Sequence, residues 1–325
     1  MRPAGAALLT GEVIGVDLAA RTVEYRGIDS GTVRYDALVV ALGAALDTAG
    51  VPGLDAAIDA GVAGEFYSVP GAAQLHSRIA DLESGRVLVL ITAVPFKCPP
   101  APYEAAFLIA DLLGQRFRDG AVAVDLFTCE PRPIGVARSE VSRAVVGLLG
   151  SAGIGFAEGK RVRAIDSGAR TVSFDDDSTE AFDVLAVVPP HTSPAAALLP
   201  ELVNPAGWIP VDPATLATAA PGVWAVGDCT ALPLANGLAL PKAGIFAEGG
   251  ALVAADQVTR FLGYDAPDAR LRGEGGCLMV VGGGQAAKIA GHFLAEPEPQ
   301  VGFFGPNAEF FAEKEAQERD WLARG

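Results

Sequence analysis

Pro221-Gly222-Val223-Trp224-Ala225-Val226-Gly227-Asp228 reads as a buried β-strand that stops on a glycine and a carboxylate. In open α/β sheets, ligands sit at the carboxyl edge of the strands. A glycine there lets backbone approach a ligand closely, and an aspartate accepts a hydrogen bond from a ligand hydroxyl. Downstream, Pro241-Lys242-Ala243-Gly244 opens an apolar, Ala-rich stretch to Phe261 that is long enough for a helix. The first amides of such a helix, together with Lys242, suit negative charge developing on a ring. The alternative is a plain strand-to-turn connection with a solvated aspartate.

The chain on either side supports a layered α/β domain. From about residue 71 the pattern alternates. A helix over Ala72–Leu82 precedes the apolar strand Val87–Ile91, and a helix carrying Ala105, Leu108, Ile109, Leu112 and Leu113 as its buried stripe precedes the strand Val122–Phe127. A helix over Glu140–Leu149, short strands near Ile154–Phe156, Arg161–Asp166 and Thr171–Phe174, and the strand Val184–Val188 complete this section. Strands alternating with helices argue for a parallel sheet. Before it, Glu12–Asp17, Thr22–Tyr25 and Thr32–Tyr35 form a β-meander. Ala37–Leu42 then runs apolar into Gly43, as a parallel strand covered on both faces would. Near the end, Cys277–Val281 and Ala287–Leu294 flank Gly282-Gly283-Gly284 as a hairpin. The match of those glycines to G-x-G-x-x-A is discounted, because Gly291 and Pro297 leave no room for the helix that the fingerprint requires.

Composition narrows the class. The chain has 325 residues, 50% of them hydrophobic and 19% charged, and a net charge of −15. This excludes a disordered chain and makes nucleic acid and anionic lipid poor partners. No stretch is long and apolar enough for a transmembrane helix, and four cysteines make no disulfide scaffold. A cytoplasmic protein is expected, with at most peripheral contact to a membrane, because the tail Glu313–Asp320 is too charged to insert. Phe303, Phe304, Phe310 and Phe311 are read either as lining an apolar patch or, in preference, as packing at a dimer-like interface, so that a homodimer is one expectation.

The sharpest chemical signal is Lys97-Cys98-Pro99-Pro100-Ala101-Pro102-Tyr103-Glu104, a loop that follows a strand and opens a helix. A thiol at a helix N-terminus beside a lysine favours its thiolate form, and Glu104 is near enough to move a proton. The alternative, which spacing alone favours, is that Cys98 is a buried, inert thiol. Cys277 is either the redox partner of Cys98 or a small core side chain. Cys129 and Cys229 are read as packing residues. His76, His191 and His292 are scattered without metal-ligand spacing, so no metal site is expected; His191 alone stands where it could transfer a proton.

Taken in order, Ala37–Gly43, Val51-Pro52-Gly53, the Lys97–Glu104 loop, Gly222–Asp228 and Pro241–Gly244 resemble the flavin-dependent pyridine nucleotide-disulfide oxidoreductases. The branch they resemble holds sulfide:quinone oxidoreductase and flavocytochrome c sulfide dehydrogenase. The resemblance implies two Rossmann-like domains, the first incomplete, and a small C-terminal α+β segment. FAD would bind to 1–68 and 200–265, the second Rossmann-like domain would be 69–199, and 266–325 would form the hairpin and tail. It implies FAD as cofactor, with Ala41 and Gly43 on the turn passing it, Gly227 and Asp228 at its ribityl-phosphate region, and Pro241, Lys242 and Ala243 at the pyrimidine edge. Cys98 and Cys277 match the pair that works against the flavin, with Glu104 as acid/base. Electrons would pass from sulfide or a thiol to an acceptor such as quinone. The family's opening G-x-G-x-x-G unit is missing: either the true start lies upstream of Met1, or the chain is a fragment that binds flavin poorly if at all. Thr92-Ala93-Val94-Pro95 holds no glycine-rich turn for NAD(P)H. An NAD(P)H-dependent flavin reductase and a non-catalytic remnant are the alternatives.

Overall fold

The computed structural model describes residues 5–28 and 30–324. The chain divides into two compact units, each assembled from separated stretches. One takes the described residues up to Ala45, Thr192–Gly273 and the chain from Glu315 onward; the other takes Leu46–His191 and Glu274–Lys314.

In the second unit, five parallel strands lie in the order Ala63–Glu65, Val184–Val188, Gly85–Ile91, Val122–Thr128, Gly155–Ala157. Val87 to Ile91 are fully buried, which is what a near-continuous Val/Leu/Ile run achieves only when helices cover both faces. The intervening helices are Val69–Ala80, Ala101–Leu113 and Ser139–Ser151. Each fully buried aliphatic side chain contributes about 1.5–3 kcal/mol. A three-stranded meander, Val162–Asp166, Thr171–Phe174 and Thr179–Ala181, closes one end.

Three boundaries differ from the sequence reading, and one is that residues 192–199 fall with the first unit rather than with 69–191. Residues 46–68 belong with this parallel sheet: Val51, Leu54, Ala57, Val62 and Ala63 share one core with Leu88, Leu90, Phe127 and Phe174. The C-terminal hairpin is no separate segment either. Glu274–Gly282 and Gln285–His292 gain a third antiparallel strand, Gln300–Asn307, and the first strand of this sheet packs on the helix Ala101–Leu113. Gly282, Gly283 and Gly284 all take positive φ in the hairpin turn.

That packing also corrects the helix face. The buried residues are Pro102, Tyr103, Ala106, Phe107, Ile109 and Leu113, while Leu108 is 47% exposed. The Tyr103 hydroxyl turns inward to donate to Glu130 Oε2 at 2.6 Å, and Thr128 Oγ1 donates to the same oxygen at 3.0 Å.

The first unit holds the meander Gly11–Asp17, Thr22–Gly27, Gly31–Arg34. Leu38–Val40 pairs in parallel with Val223–Ala225. This strand is shorter than the Ala37–Leu42 reading and is not covered on both faces: Val40 is buried, but Val39 is 41% exposed. Among the described residues it has a hydrogen-bonded neighbour on one side only. The helix Gly244–Phe261 completes the unit, and Ala308–Arg324 is the last helix of the chain.

Candidate active site

Cys98 lies three residues before the helix Ala101–Leu113, with φ of 51° in the left-handed region that non-glycine residues rarely adopt. Pro99 and Pro100 limit the loop, and the helix starts without a side-chain cap. The Ala101 amide donates to Cys98 O at 2.8 Å, and the Cys98 sulfur accepts a hydrogen bond from Cys277 Sγ, with the Ala101 amide also favouring its negative form. Cys277 arrives on the strand Glu274–Gly282, so two cysteines far apart in sequence meet in one unit as free thiols. The hydrogen bond from Cys277 holds the Cys98 thiol below its ordinary value despite burial, and the same bond pushes Cys277 well above it.

Glu104 is tied down. Its Oε1 accepts from the Val280 amide at 2.8 Å and pairs with the Lys314 ammonium. Lys314 Nζ also donates to Leu278 O at 3.2 Å. Sequence reasoning placed Glu104 beside the thiols but missed Lys314, because only the hairpin's docking brings the last helix there. Tyr67 was missed as well. Its hydroxyl donates to Lys97 O at 2.9 Å, and Lys97 Nζ stands 5.6 Å from its ring centroid. Burial, then the negative charge of a Cys98 thiolate, pushes the Tyr67 hydroxyl up. His191 packs edge-on to Tyr67 at 4.9 Å and donates Nδ1–H to Pro189 O at 2.9 Å.

Five of the predicted cofactor residues, Gly227, Asp228, Pro241, Lys242 and Ala243, line one recess in the first unit. Gly227 has φ of +72°, and a Cβ there would stand 3.2 Å from Ala247 Cβ, so a larger residue would push the turn off the helix. Lys242 is 7% exposed, with Nζ donating to Asp228 O at 2.6 Å and Thr230 O at 3.3 Å and lying 3.4 Å from the Trp208 ring centroid. Burial lowers its pKa to about 8, against the pull of Asp228. Nothing in the sequence pointed to Trp208. Ala41 is exposed and Gly43 turns with φ of +64°. Cys229 is fully buried, donates to Val226 O at 3.3 Å, and has its pKa raised by burial, as suits a packing residue. Burial likewise pushes Cys129 up to about 11.

Residues 72–130 match the central part of the flavoprotein chain of flavocytochrome c sulfide dehydrogenase, and residues 104–250 match the pyridine nucleotide-disulphide oxidoreductases. The second match takes in just under half of the chain, so the chain is similar to that family along its middle. The chain is also similar to the mitochondrial sulfide:quinone oxidoreductase of Schizosaccharomyces pombe, at 25% identity over 279 residues. That match covers 83% of the chain and 59% of the relative, so the chain spans about three fifths of its length. In fold it is similar to the sulfide:quinone oxidoreductase of Aquifex aeolicus (TM-score 0.80, 21% identity, 97% of this chain and 74% of that one). A NAD-dependent persulfide reductase from A. fulgidus follows the same fold (TM-score 0.63, 21% identity, 86% and 48%).

The family implies a flavin, and the recess fits one end of it. The helix Gly244–Phe261 begins without a side-chain cap, and a Cβ at Gly244 would meet nothing within 4 Å. Two carbonyls and the Trp208 ring face hold the Lys242 ammonium in place, which fixes a positive charge at the recess. These groups suit the electron-rich edge of a flavin ring. A glycine-rich turn for the pyrophosphate is not among the described residues. Nor do they include a cluster of His, Cys, Asp or Glu placed for a metal, or a helix long and apolar enough to cross a membrane.

Proposed function

We propose that this chain is an FAD-dependent oxidoreductase of the sulfide:quinone oxidoreductase type, moving two electrons from sulfide or a thiol through Cys98 and Cys277 to FAD and on to an acceptor such as quinone. The observation that carries this reading is the hydrogen bond between Cys98 and Cys277 at a helix N-terminus. An acidic thiol beside a protonated one is the arrangement a dithiol needs before oxidation. A Cys98 thiolate and a Cys277 thiol together form a disulfide on loss of two electrons and one proton. Hydrosulfide attacking that disulfide leaves a persulfide on one cysteine and a thiolate on the other.

Gly43, Gly227, Asp228, Lys242 and the first turn of Gly244–Phe261 would hold FAD, which supplies the two-electron acceptor when bound. Lys242 and the helix amides favour negative charge at the ring edge they face. The half-buried Cys98 stays within reach of a small donor, and Ala101 and Cys277 hold the negative charge on it. Nicotinamide dependence has less support: the strand Gly85–Ile91 runs into Thr92-Ala93-Val94-Pro95, and the following helix N-terminus serves Cys98.

Titration of the purified chain with FAD, followed by visible absorbance and protein fluorescence, tests the cofactor half. Saturable binding that Lys242→Ala weakens is expected; no binding at excess FAD would defeat the reading and favour a non-catalytic remnant. For the loaded protein, sulfide is expected to bleach the flavin and Cys98→Ser to abolish that bleaching. Bleaching by NADH alone would select the flavin reductase instead.

A further inference from the structure

We propose that Lys314 and Glu104 form a charge bracket that sets the reactivity of the Cys98–Cys277 pair, with Lys314 as a positioning residue and not Glu104 as a free acid/base. The inference rests on the dithiol reading above. It stands on geometry within one unit. Lys314 spans the two elements that carry the cysteines: its ammonium pairs with Glu104, one turn into the Cys98 helix, and donates to Leu278 O, the residue after Cys277. Glu104 closes the loop by accepting from Val280 N on the same strand at 2.8 Å. Neighbouring Glu313 anchors this helix a second time, accepting from Lys288 Nζ at 2.7 Å. The Glu104 side chain is only 13% exposed and already has two partners on Oε1, so it is engaged rather than poised to shuttle protons.

The groups facing Cys98 are Cys277 on the hairpin strand, Glu104 on its own helix, Lys314 on the last helix and Tyr67 from the segment before Val69–Ala80. Lys314 favours the thiolate and Glu104 disfavours it; both act on Cys277 in the same senses. A bracket of opposite charges therefore makes a signed prediction that simple scaffolding does not. Removing Lys314 should leave the carboxylate unopposed and weaken the thiolate. Removing the charge of Glu104 should do the reverse.

The test is the pH profile of Cys98 alkylation by iodoacetamide in the full, reduced chain, read by peptide mass spectrometry, which needs no flavin. Lys314→Met is expected to slow alkylation at pH 7 by roughly tenfold and move the midpoint up. Glu104→Gln is expected to speed it and move the midpoint down, and Lys314→Arg to stay near wild type. Circular dichroism confirms folding; should Lys314→Met fail to fold, the opposite order of Glu104→Gln and wild type still decides. Profiles that coincide, or variants that both slow the reaction, would overturn the bracket. A wild-type Cys98 with an ordinary thiol midpoint would instead count against the dithiol reading, and the two failures are thereby separable.

Discussion

A lysine 7% exposed between two carbonyls and a tryptophan face is a costly arrangement unless something gains from it. Its pKa lies near 8 in the folded chain, against an ordinary 10.5. Between those values the unfolded chain holds a proton that the folded chain has released, so this residue's contribution to stability rises with pH through that window. The difference in unfolding free energy between wild type and Lys242→Met should therefore shift toward the wild type by about 3 kcal/mol from pH 8 to 10.5. Denaturant titrations at several pH values check it, and a flat difference would mean a solvated lysine. Lys242 was legible because Pro-Lys-Ala-Gly opens a helix after a Gly-Asp strand. Its partner Trp208 was not, since nothing local ties residue 208 to 242. The same holds for Cys98: the proline loop announced a thiol at a helix start, yet only packing brought Cys277 to it.

Among the elements, the helix Ala101–Leu113 shows where pattern reading stops. Apolar residues lie on nearly every side of it, so a 3.6-residue period could select a stripe through Leu108 as readily as one through Phe107. Two partners made the choice: the hairpin strand that packs on it and the Tyr103 hydroxyl, which must reach Glu130. Phe107→Ala is expected to cost about 3–5 kcal/mol in chemical denaturation, and Leu108→Ser to stay within about 0.5 kcal/mol. Equal losses would put the buried stripe back through Leu108. The strand Leu38–Val40 was misjudged for a related reason. An apolar run says that a strand can be buried on both faces, while its neighbours decide whether it is.

For the whole molecule, Cys98 and Cys277 close a loop of about 180 residues, for which chain entropy sets an upper bound of about 5 kcal/mol on the stabilisation by a disulfide. Mild oxidation should raise the melting temperature, reversibly with dithiothreitol, and Cys277→Ser should remove the effect. No change on oxidation would argue against a bond between these two. The parallel sheet, the hairpin and the helices around them were readable because hydrophobic period and glycine turns are local properties. The unit boundaries were not: Leu54 and Val62 join the core of Leu88 and Phe174 through contacts distant in sequence. The sequence by itself determined the α/β class, the family resemblance and the residue types of the site, since these follow from local pattern and order along the chain. Only the tertiary structure decided that Cys277 meets Cys98 and that Lys314 meets Glu104. Such pairings depend on how the C-terminal hairpin docks, and sequence separation carries no information about distance.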